Sequence, residues 1–293
     1  MEQSQNSIRI LTFDIEEWFH LLDINTTRSV ESWNSFEARI YVNTDRILNL
    51  LENKKQRATF FCLGWVAEKY PEIIHKINNA GFEIGSHSSF HQLAYELSPQ
   101  QFRDDLKRSI SVLQDLTGKN ITTYRVPGFS ITRENAWVID ILIECGIKCD
   151  SSIFPAPRGH GGFENFGTDK PVIIQTSKGN LKEFPINTVS IFGKKVIFSG
   201  GGYFRLFPYF LIDRLMKNSP YVMTYFHPRD FDAGQPVLNG IPMARRFKSY
   251  YGLSGAYRKL EKLLDAYSFT DIRGASEMAS WQTKDLSAIL ASN

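Results

Sequence analysis

Three cysteines in 293 residues are too few, and odd in number, for a disulfide framework. Cys62, Cys145 and Cys149 lie in apolar runs and read as reduced core side chains in a reducing compartment. Charge excess is small as well. The 34 Lys and Arg against 31 Asp and Glu leave a net +3, which argues for neither nucleic acid nor an anionic membrane as partner. No apolar run approaches the roughly 18 residues that a membrane-spanning helix needs. The first seven residues, Met-Glu-Gln-Ser-Gln-Asn-Ser, are polar and lack the basic and apolar regions of a leader, so the expected location is cytoplasmic. No Gly-x-Gly-x-x-Gly turn follows the first apolar run, which weakens a dinucleotide-binding sheet. Internal repeats, low-complexity tracts and linkers are absent too, so residues 1–293 are expected to form a single domain.

Against these absences stands a regular alternation of strand and helix. Short apolar runs at residues 8–13, 58–63, 82–85, 122–126, 147–150 and 221–226 read as strands. Apolar residues at helical spacing mark helices over 36–52, 66–80, 132–146, 206–217 and 257–267. Ser98-Pro99-Gln100-Gln101 is a helix start, with serine at the cap, proline first and glutamine third. Phe102, Leu106, Ile110, Leu113 and Leu116 continue it as a buried stripe that Gly118 ends. Strand–helix units of roughly 30 to 40 residues indicate βαβ crossovers and a parallel sheet. Polar residues recur at the C-terminal ends of the strands, namely Asp14, His87, Arg125 and Asp150. A barrel gathers such residues at one mouth. The expected fold class is therefore α/β, a distorted (β/α) barrel of seven or eight strands, with an open doubly wound sheet as the competing architecture. Residues 22–35 lack a clear period and are expected to loop over the site. The glycine-rich stretch 158–202 is expected to be a small β insertion near the barrel mouth.

The stretch Gly85-Ser86-His87-Ser88-Ser89-Phe90-His91 sets imidazoles at i and i+4, which meet on one side of a helical turn. Asp14-Ile15-Glu16-Glu17 supplies carboxylates. This is a ligand mix for zinc, iron, cobalt or nickel. Asp14 and Glu16 stand two apart on a strand end, so one can bind an ion while the other stays free as a base. Two histidines and one carboxylate leave open positions at the ion, as a catalytic site requires. A divalent ion lowers the pKa of a water to about 7 and polarises a carbonyl. The free carboxylate can then take a proton from that water. His227, carried by the last strand, can protonate a leaving nitrogen, and Arg125 can hold the basic carboxylate. The chemistry permitted is metal-assisted hydrolysis of an amide.

Thr12-Phe13-Asp14, His87-Ser88-Ser89-Phe90-His91, Arg125-Val126-Pro127-Gly128 and Phe226-His227-Pro228 follow one another as in polysaccharide deacetylases of carbohydrate esterase family 4. The chain resembles that family over nearly its whole length. Phe13-Asp14-Ile15-Glu16-Glu17-Trp18-Phe19 and Ser199-Gly200-Gly201-Gly202-Tyr203-Phe204-Arg205 resemble more closely its branch associated with bacterial exopolysaccharide and exosortase gene clusters. The resemblance implies a distorted barrel that removes N-acetyl groups from amino sugars. It implies Asp14 as catalytic base, Arg125 as the residue orienting it, and His227 as catalytic acid. It further implies His87 and His91 as metal ligands and the Gly128 N–H, beside Pro127, as an oxyanion donor. One divalent ion is implied, zinc first, with cobalt, nickel or iron as alternatives. Most of the family has adjacent aspartates where this chain has Asp-Ile-Glu-Glu. Glu16, on the same face as Asp14, is assigned as third ligand, with Glu17 as runner-up.

Asp150, Tyr203 and Arg205 are placed with Pro127 and Gly128 at the substrate. Each also has a plainer reading: a cap for Asp150, core for Tyr203, pairing with a nearby acid for Arg205. His20 and His160 are candidates to line the groove, His75 reads as partly buried and structural, and Trp18, Trp65 and Phe129 read as core. Gly200-Gly201-Gly202 either admits substrate close to the backbone or makes a tight bend. Arg245-Arg246-Phe247-Lys248 reads as a solvated face, with contact to a phosphate-bearing sugar carrier as the sharper alternative. The expected partner is an N-acetylated carbohydrate, nucleotide- or lipid-linked, in surface-polysaccharide or lipopolysaccharide synthesis. An allantoinase-like cyclic-amide hydrolase and a non-catalytic carbohydrate-binding protein compete with that reading.

Overall fold

The structure, a computed structural model, describes residues 7–22, 24–191, 194–238 and 240–292. Residues 1–6 of the polar N-terminus, and Phe192 within the expected insertion, lie outside the described residues. The strands are β1 (Ile8–Ile10), β2 (Thr12–Ile15), β3 (Thr59–Cys62), β4 (Glu83–Ser86), β5 (Thr123–Tyr124) and β6 (Cys149–Asp150). They continue as β7 (Val172–Thr176), β8 (Gly179–Glu183), β9 (Val189–Ile191), β10 (Lys194–Val196), β11 (Tyr221–Met223) and β12 (Gln282–Asp285).

The architecture is α/β around a mostly parallel sheet. An eight-stranded sheet runs in the order β12-β7-β8-β6-β5-β4-β3-β2, and only the β7–β8 hairpin is antiparallel within it. The first expected strand divides at Leu11: β1 pairs with β11, while β2 pairs with β3. A bridge from Phe13 to Phe226 carries the sheet on past β2 to the segment that follows β11. On the other side of β11 the contacts are a backbone bridge from Gly200 to Tyr225 and two side-chain hydrogen bonds. Tyr221 Oη donates to Pro185 O at 2.7 Å, and the Met223 N–H donates to Asn187 Oδ1 at 2.9 Å. No continuous ladder joins β11 to β8 among the described residues.

The helix Pro99–Thr117 forms as expected, with a reciprocal Ser98–Gln101 capping box and Gly118 in the left-handed region at φ 66°. Elsewhere proline divides expected helices. Residues 66–80 form Gly64–Lys69 and Pro71–Asn79, because Pro71 restricts Tyr70 and supplies no N–H to continue the first helix. Residues 206–217 likewise form Gly201–Leu206 and Tyr209–Asn218, parted at Pro208. Residues 22–35 hold a 3-10 turn at Asn25–Thr27 and a helical turn, Val30–Trp33, capped by Ser29. The expected insertion is a continuation of the main sheet through β7 and β8; only the β9–β10 pair stands apart. A last strand, β12, and helices Met243–Tyr250, Ile272–Met278 and Leu286–Ala291 had no clear sequence signal. β12 is a polar, mostly exposed edge strand with no alternation to read.

One apolar core runs through both halves of the chain, from Phe13 and Phe60 to Phe204, Phe226 and Phe231. Phe13 stacks on Phe60, and the other rings meet edge-on or tilted around the base of the site, with Phe226–Phe231 centroids 5.5 Å apart. Burial of each such side chain contributes about 1.5–3 kcal/mol. That rigid floor fixes the strand ends on which the polar groups sit.

Candidate active site

Asp14, His87, Arg125, Asp150 and His227 all stand at or just past the C-terminal end of a strand, on one side of the sheet. β2 delivers Asp14 and, one residue beyond its end, Glu16. Both are buried, at 2% and 4% exposure. Their side chains reach different partners.

Glu16 meets the histidines. One ligand atom from each of Glu16, His87 and His91 lies within 4.8 Å of the others, and among the described residues this is the cluster able to hold a metal ion. His91 Nε2 is 2.6 Å from Glu16 Oε2, yet that oxygen has no hydrogen-bond partner of proper geometry. The His87 Nδ1 lies 2.8 Å from the carbonyl of Arg125, so Nδ1 carries the proton and Nε2 keeps its lone pair for a ligand role. Burial pushes His87 down to about 4, leaving it neutral. Burial would raise Glu16, but His91, His227 and His87 together hold it below the usual carboxylate range. An anionic carboxylate with an orphan oxygen between two buried imidazoles fits a divalent cation.

The two histidines converge by a different route from the expected helical turn. Residues 87–91 are a loop in which Ser88 (φ 69°) and His91 (φ 53°) adopt left-handed backbone. Such conformations need outside support. Asp105, on the helix Pro99–Thr117, accepts from the N–H groups of Ser89 at 2.9 Å and Phe90 at 3.2 Å. From the other side, the N–H groups of Gly64 and Trp65 donate to the carbonyls of Ser88 and Ser89 at 2.8 and 3.0 Å. Burial raises Asp105 to about 6. Sequence reasoning missed Asp105; the available signal was a carboxylate on the buried face of an otherwise apolar stripe.

Asp14 is held apart from that cluster. Arg125, fully buried, donates from Nη1 to Asp14 Oδ1 at 2.8 Å and to Thr12 Oγ1 at 2.7 Å. The remaining guanidinium donors go to Ser151 O and Ser151 Oγ. His227 faces both carboxylates, with Nε2 3.4 Å from Glu16 Oε1 and 3.8 Å from Asp14 Oδ2. Its Nδ1 lies 3.1 Å from Asp230 Oδ2, which also accepts the His227 N–H. Burial works to lower His227, but Glu16, Asp230 and Asp14 outweigh it and hold the ring at about 9. Asp230, the partner that orients His227, was not singled out from sequence.

Glu17, the runner-up ligand, points elsewhere. Its Oε1 accepts from the N–H groups of Arg39 and Ile40, at 2.7 and 2.9 Å, and so satisfies the start of helix Ile40–Asn53, which lacks a side-chain cap of its own. Asp150, expected at the substrate, is 1% exposed and sits beneath the site against Ser152 and Glu183. Arg205 lines the cavity, while its guanidinium pairs with Asp230 at 3.2 Å and donates to the carbonyls of Lys248, Ser249 and Tyr251, in line with its plainer reading. Tyr203 is 42% exposed at the cavity mouth and is not core. Gly128, at φ 65°, lines the cavity, while Pro127 is buried behind it; the turn's own hydrogen bonds begin at Phe129 and Ser130. The glycine trio admits the chain's own groups: a Cβ on Gly200 would fall 1.8 Å from the Tyr225 ring, and one on Gly201 1.8 Å from the Asp230 carboxylate. His20 and His160 line the cavity, and His75 is exposed on its helix.

All of the central groups except Arg125 open into one cavity of about 820 Å³, whose far wall includes Arg158, Lys195, Arg229 and Tyr225. A base candidate, an acid candidate and a cation site thus share one cavity.

Residues 25–149 match the family described as Polysaccharide deacetylase, and residues 151–277 match a domain of unknown function, DUF3473. Asp14 and Glu16 precede the first matched region, and His227 lies in the second. A Helicobacter pylori peptidoglycan deacetylase is 32% identical over 115 residues, 38% of this chain and 37% of that protein. A Bacillus cereus peptidoglycan-N-acetylglucosamine deacetylase is 35% identical over 120 residues, 37% of this chain and 44% of that protein. The alignments therefore span less than half the length of these curated relatives. A crystal structure from Mycobacterium smegmatis, described as a polysaccharide deacetylase, aligns with a TM-score of 0.65 at 19% identity, covering 94% of this chain and 92% of that one. It shows the same fold.

Proposed function

We propose that this chain, a polysaccharide deacetylase family member of the carbohydrate esterase 4 type, is a metal-dependent N-deacetylase that hydrolyses the acetamide of an N-acetylated amino sugar. The observation that carries the reading is the division of labour at the end of β2, where Glu16 joins two histidines while Asp14, two residues away, is held off by Arg125. Glu16, His87 and His91 would hold one divalent ion, zinc first, and that ion would supply Lewis-acid polarisation of the acetamide carbonyl and acidify a water.

Each protein group then has one task. Asp14, aimed by Arg125, takes the proton of the attacking water. Gly128 lines the cavity, and its N–H would be the donor for the developing oxyanion. His227, charged and oriented by Asp230, gives a proton to the departing nitrogen so that it leaves as an amine. The products are acetate and the free amino sugar. The named relatives act on peptidoglycan, which supports an N-acetylhexosamine substrate. We extend the proposal to a cytoplasmic enzyme whose substrate is a surface-polysaccharide or lipopolysaccharide precursor, nucleotide- or lipid-linked. The test is acetate release from such substrates by enzyme with and without chelator. Loss on chelation and recovery with zinc, cobalt or nickel is expected; undiminished release by chelated protein or by Asp14→Asn would overturn the mechanism.

A further inference from the structure

The cavity opens on an apolar rim. Met243 is 88% exposed, Phe247 52% and Tyr251 49%. They stand four apart along helix Met243–Tyr250 and the residue that follows it, so they form one outward stripe. The Phe247 and Tyr251 rings lie 4.6 Å apart. Tyr203 and Leu206, also exposed, share the cavity mouth with Phe247 and Tyr251. Arg246 and Lys248 are exposed, and at about 100° per residue they fall on opposite flanks of the stripe. The rim is firmly built. Arg205 donates to the carbonyls of Lys248, Ser249 and Tyr251 near the end of this helix, and the Lys259 ammonium donates to the carbonyls of Phe204, Arg205 and Phe207.

We propose that this rim is a docking surface for the anionic face of a lipid bilayer. Met243, Phe247 and Tyr251 enter the boundary between headgroups and acyl chains, while Arg246 and Lys248 meet lipid phosphates. An apolar stripe flanked by cations is the arrangement of helices that lie in the membrane interface. The competing occupants fit less well. A glycan would stack on aromatic rings, whereas Met243 is aliphatic and lies off the cavity wall. A second copy packed about a two-fold axis would bring Arg246 and Lys248 against their own counterparts. The chain's near-neutral total of +3 conceals this local concentration of cations. Docked in this way, the cavity mouth faces the bilayer. Given the deacetylation proposed above, the sugar of a lipid-linked substrate then reaches Asp14 and His227 without leaving the membrane surface.

The test is sedimentation of the full chain with vesicles of phosphatidylcholine alone or mixed with phosphatidylglycerol. Binding to the mixed vesicles, weakened by added salt, is expected. Arg246→Glu and Met243→Asp should each lower that affinity at least about fivefold, while Met278→Asp, on an exposed methionine of another helix, should leave it unchanged. Acetate release from a small water-soluble N-acetyl sugar should be the same in these variants as in the parent. Vesicle binding that ignores phosphatidylglycerol, or that survives both substitutions, overturns the proposal. So does a concentration-dependent dimer that both substitutions abolish. Because the vesicle readout needs no turnover, a failure of the deacetylase reading leaves it intact and the two failures are separable.

Discussion

At the scale of single residues, the site depends on giving neighbouring acids different surroundings. Glu16 lies among imidazoles, Asp14 beside a guanidinium, and Asp230 against the outer nitrogen of His227. Asp230 acts through the ring it orients, so its removal should tell on the proton delivered to the leaving group. Asp230→Asn keeps the size and loses the charge. It should lower kcat about 100-fold with KM little changed, and shift the alkaline limb of the pH–rate profile downward as His227 loses a partner that holds its proton. The sign follows from the geometry, since a group held up by carboxylates titrates lower when one is removed. Steady-state rates across pH check this; an unchanged profile would assign Asp230 to structure alone. Asp14, His87, His91, Arg125 and His227 were legible because each sits inside a short motif at a strand end. Asp105 and Asp230 were not, because they reach the chemistry only by holding other residues, and nothing in spacing marks a carboxylate whose partner is a backbone N–H in a distant loop.

At the scale of elements, the site is a loop clamped between two helices. The 87–91 loop has left-handed residues and no ladder of its own, and it is held by Asp105 on one side and the start of helix Gly64–Lys69 on the other. Gly64 allows the close approach there, since a Cβ would sit 3.0 Å from the Ser89 Cα. Asp105→Ala removes both carboxylate acceptors while leaving the helix intact. Metal affinity should fall about 10- to 100-fold, measured by competition with a chromogenic chelator, with the circular dichroism spectrum preserved. Unaltered affinity would show the loop to be self-supporting. The same scale explains which elements could be read in advance. Helix Pro99–Thr117 carries its own cap, stripe and terminal glycine, so local sequence settles it. The convergence of His87 and His91 was anticipated, but through a helical turn; tertiary hydrogen bonds impose the loop, and these are invisible to local periodicity.

At the scale of the whole molecule, both matched regions contribute to one sheet and one site. The seam between them runs through β6 and β8, where Asp150 and Glu183 are buried together. Burial raises Asp150 to about 6 and Glu183 well above the usual range, and Asp150 Oδ2 and Glu183 Oε2 have no other donor, so the pair is satisfied by sharing a proton. Groups raised in the folded state stabilise it fully at low pH and lose that contribution as pH rises through the folded values. Glu183→Gln keeps the oxygen that accepts the Ile153 N–H and supplies a permanent donor to Asp150. It should therefore melt close to the parent below about pH 4 and increasingly above it as pH rises past 6; a pH-independent difference would contradict the shared proton. The parallel sheet was legible from strand–helix alternation, whereas the contacts of Tyr221 and Asn187 beside β11 were not, because side-chain hydrogen bonds leave no strand pattern. The account stands or falls on one cation held by Glu16, His87 and His91 with Asp14 unbound beside it. The most direct test is metal content per chain, measured alongside acetate release, for the parent, Asp14→Asn, Glu16→Gln and Glu17→Gln. The expected result is one ion retained and activity lost in Asp14→Asn, both lost in Glu16→Gln, and both kept in Glu17→Gln; an Asp14→Asn protein without metal, or a Glu16→Gln protein that keeps its ion and its activity, would contradict it.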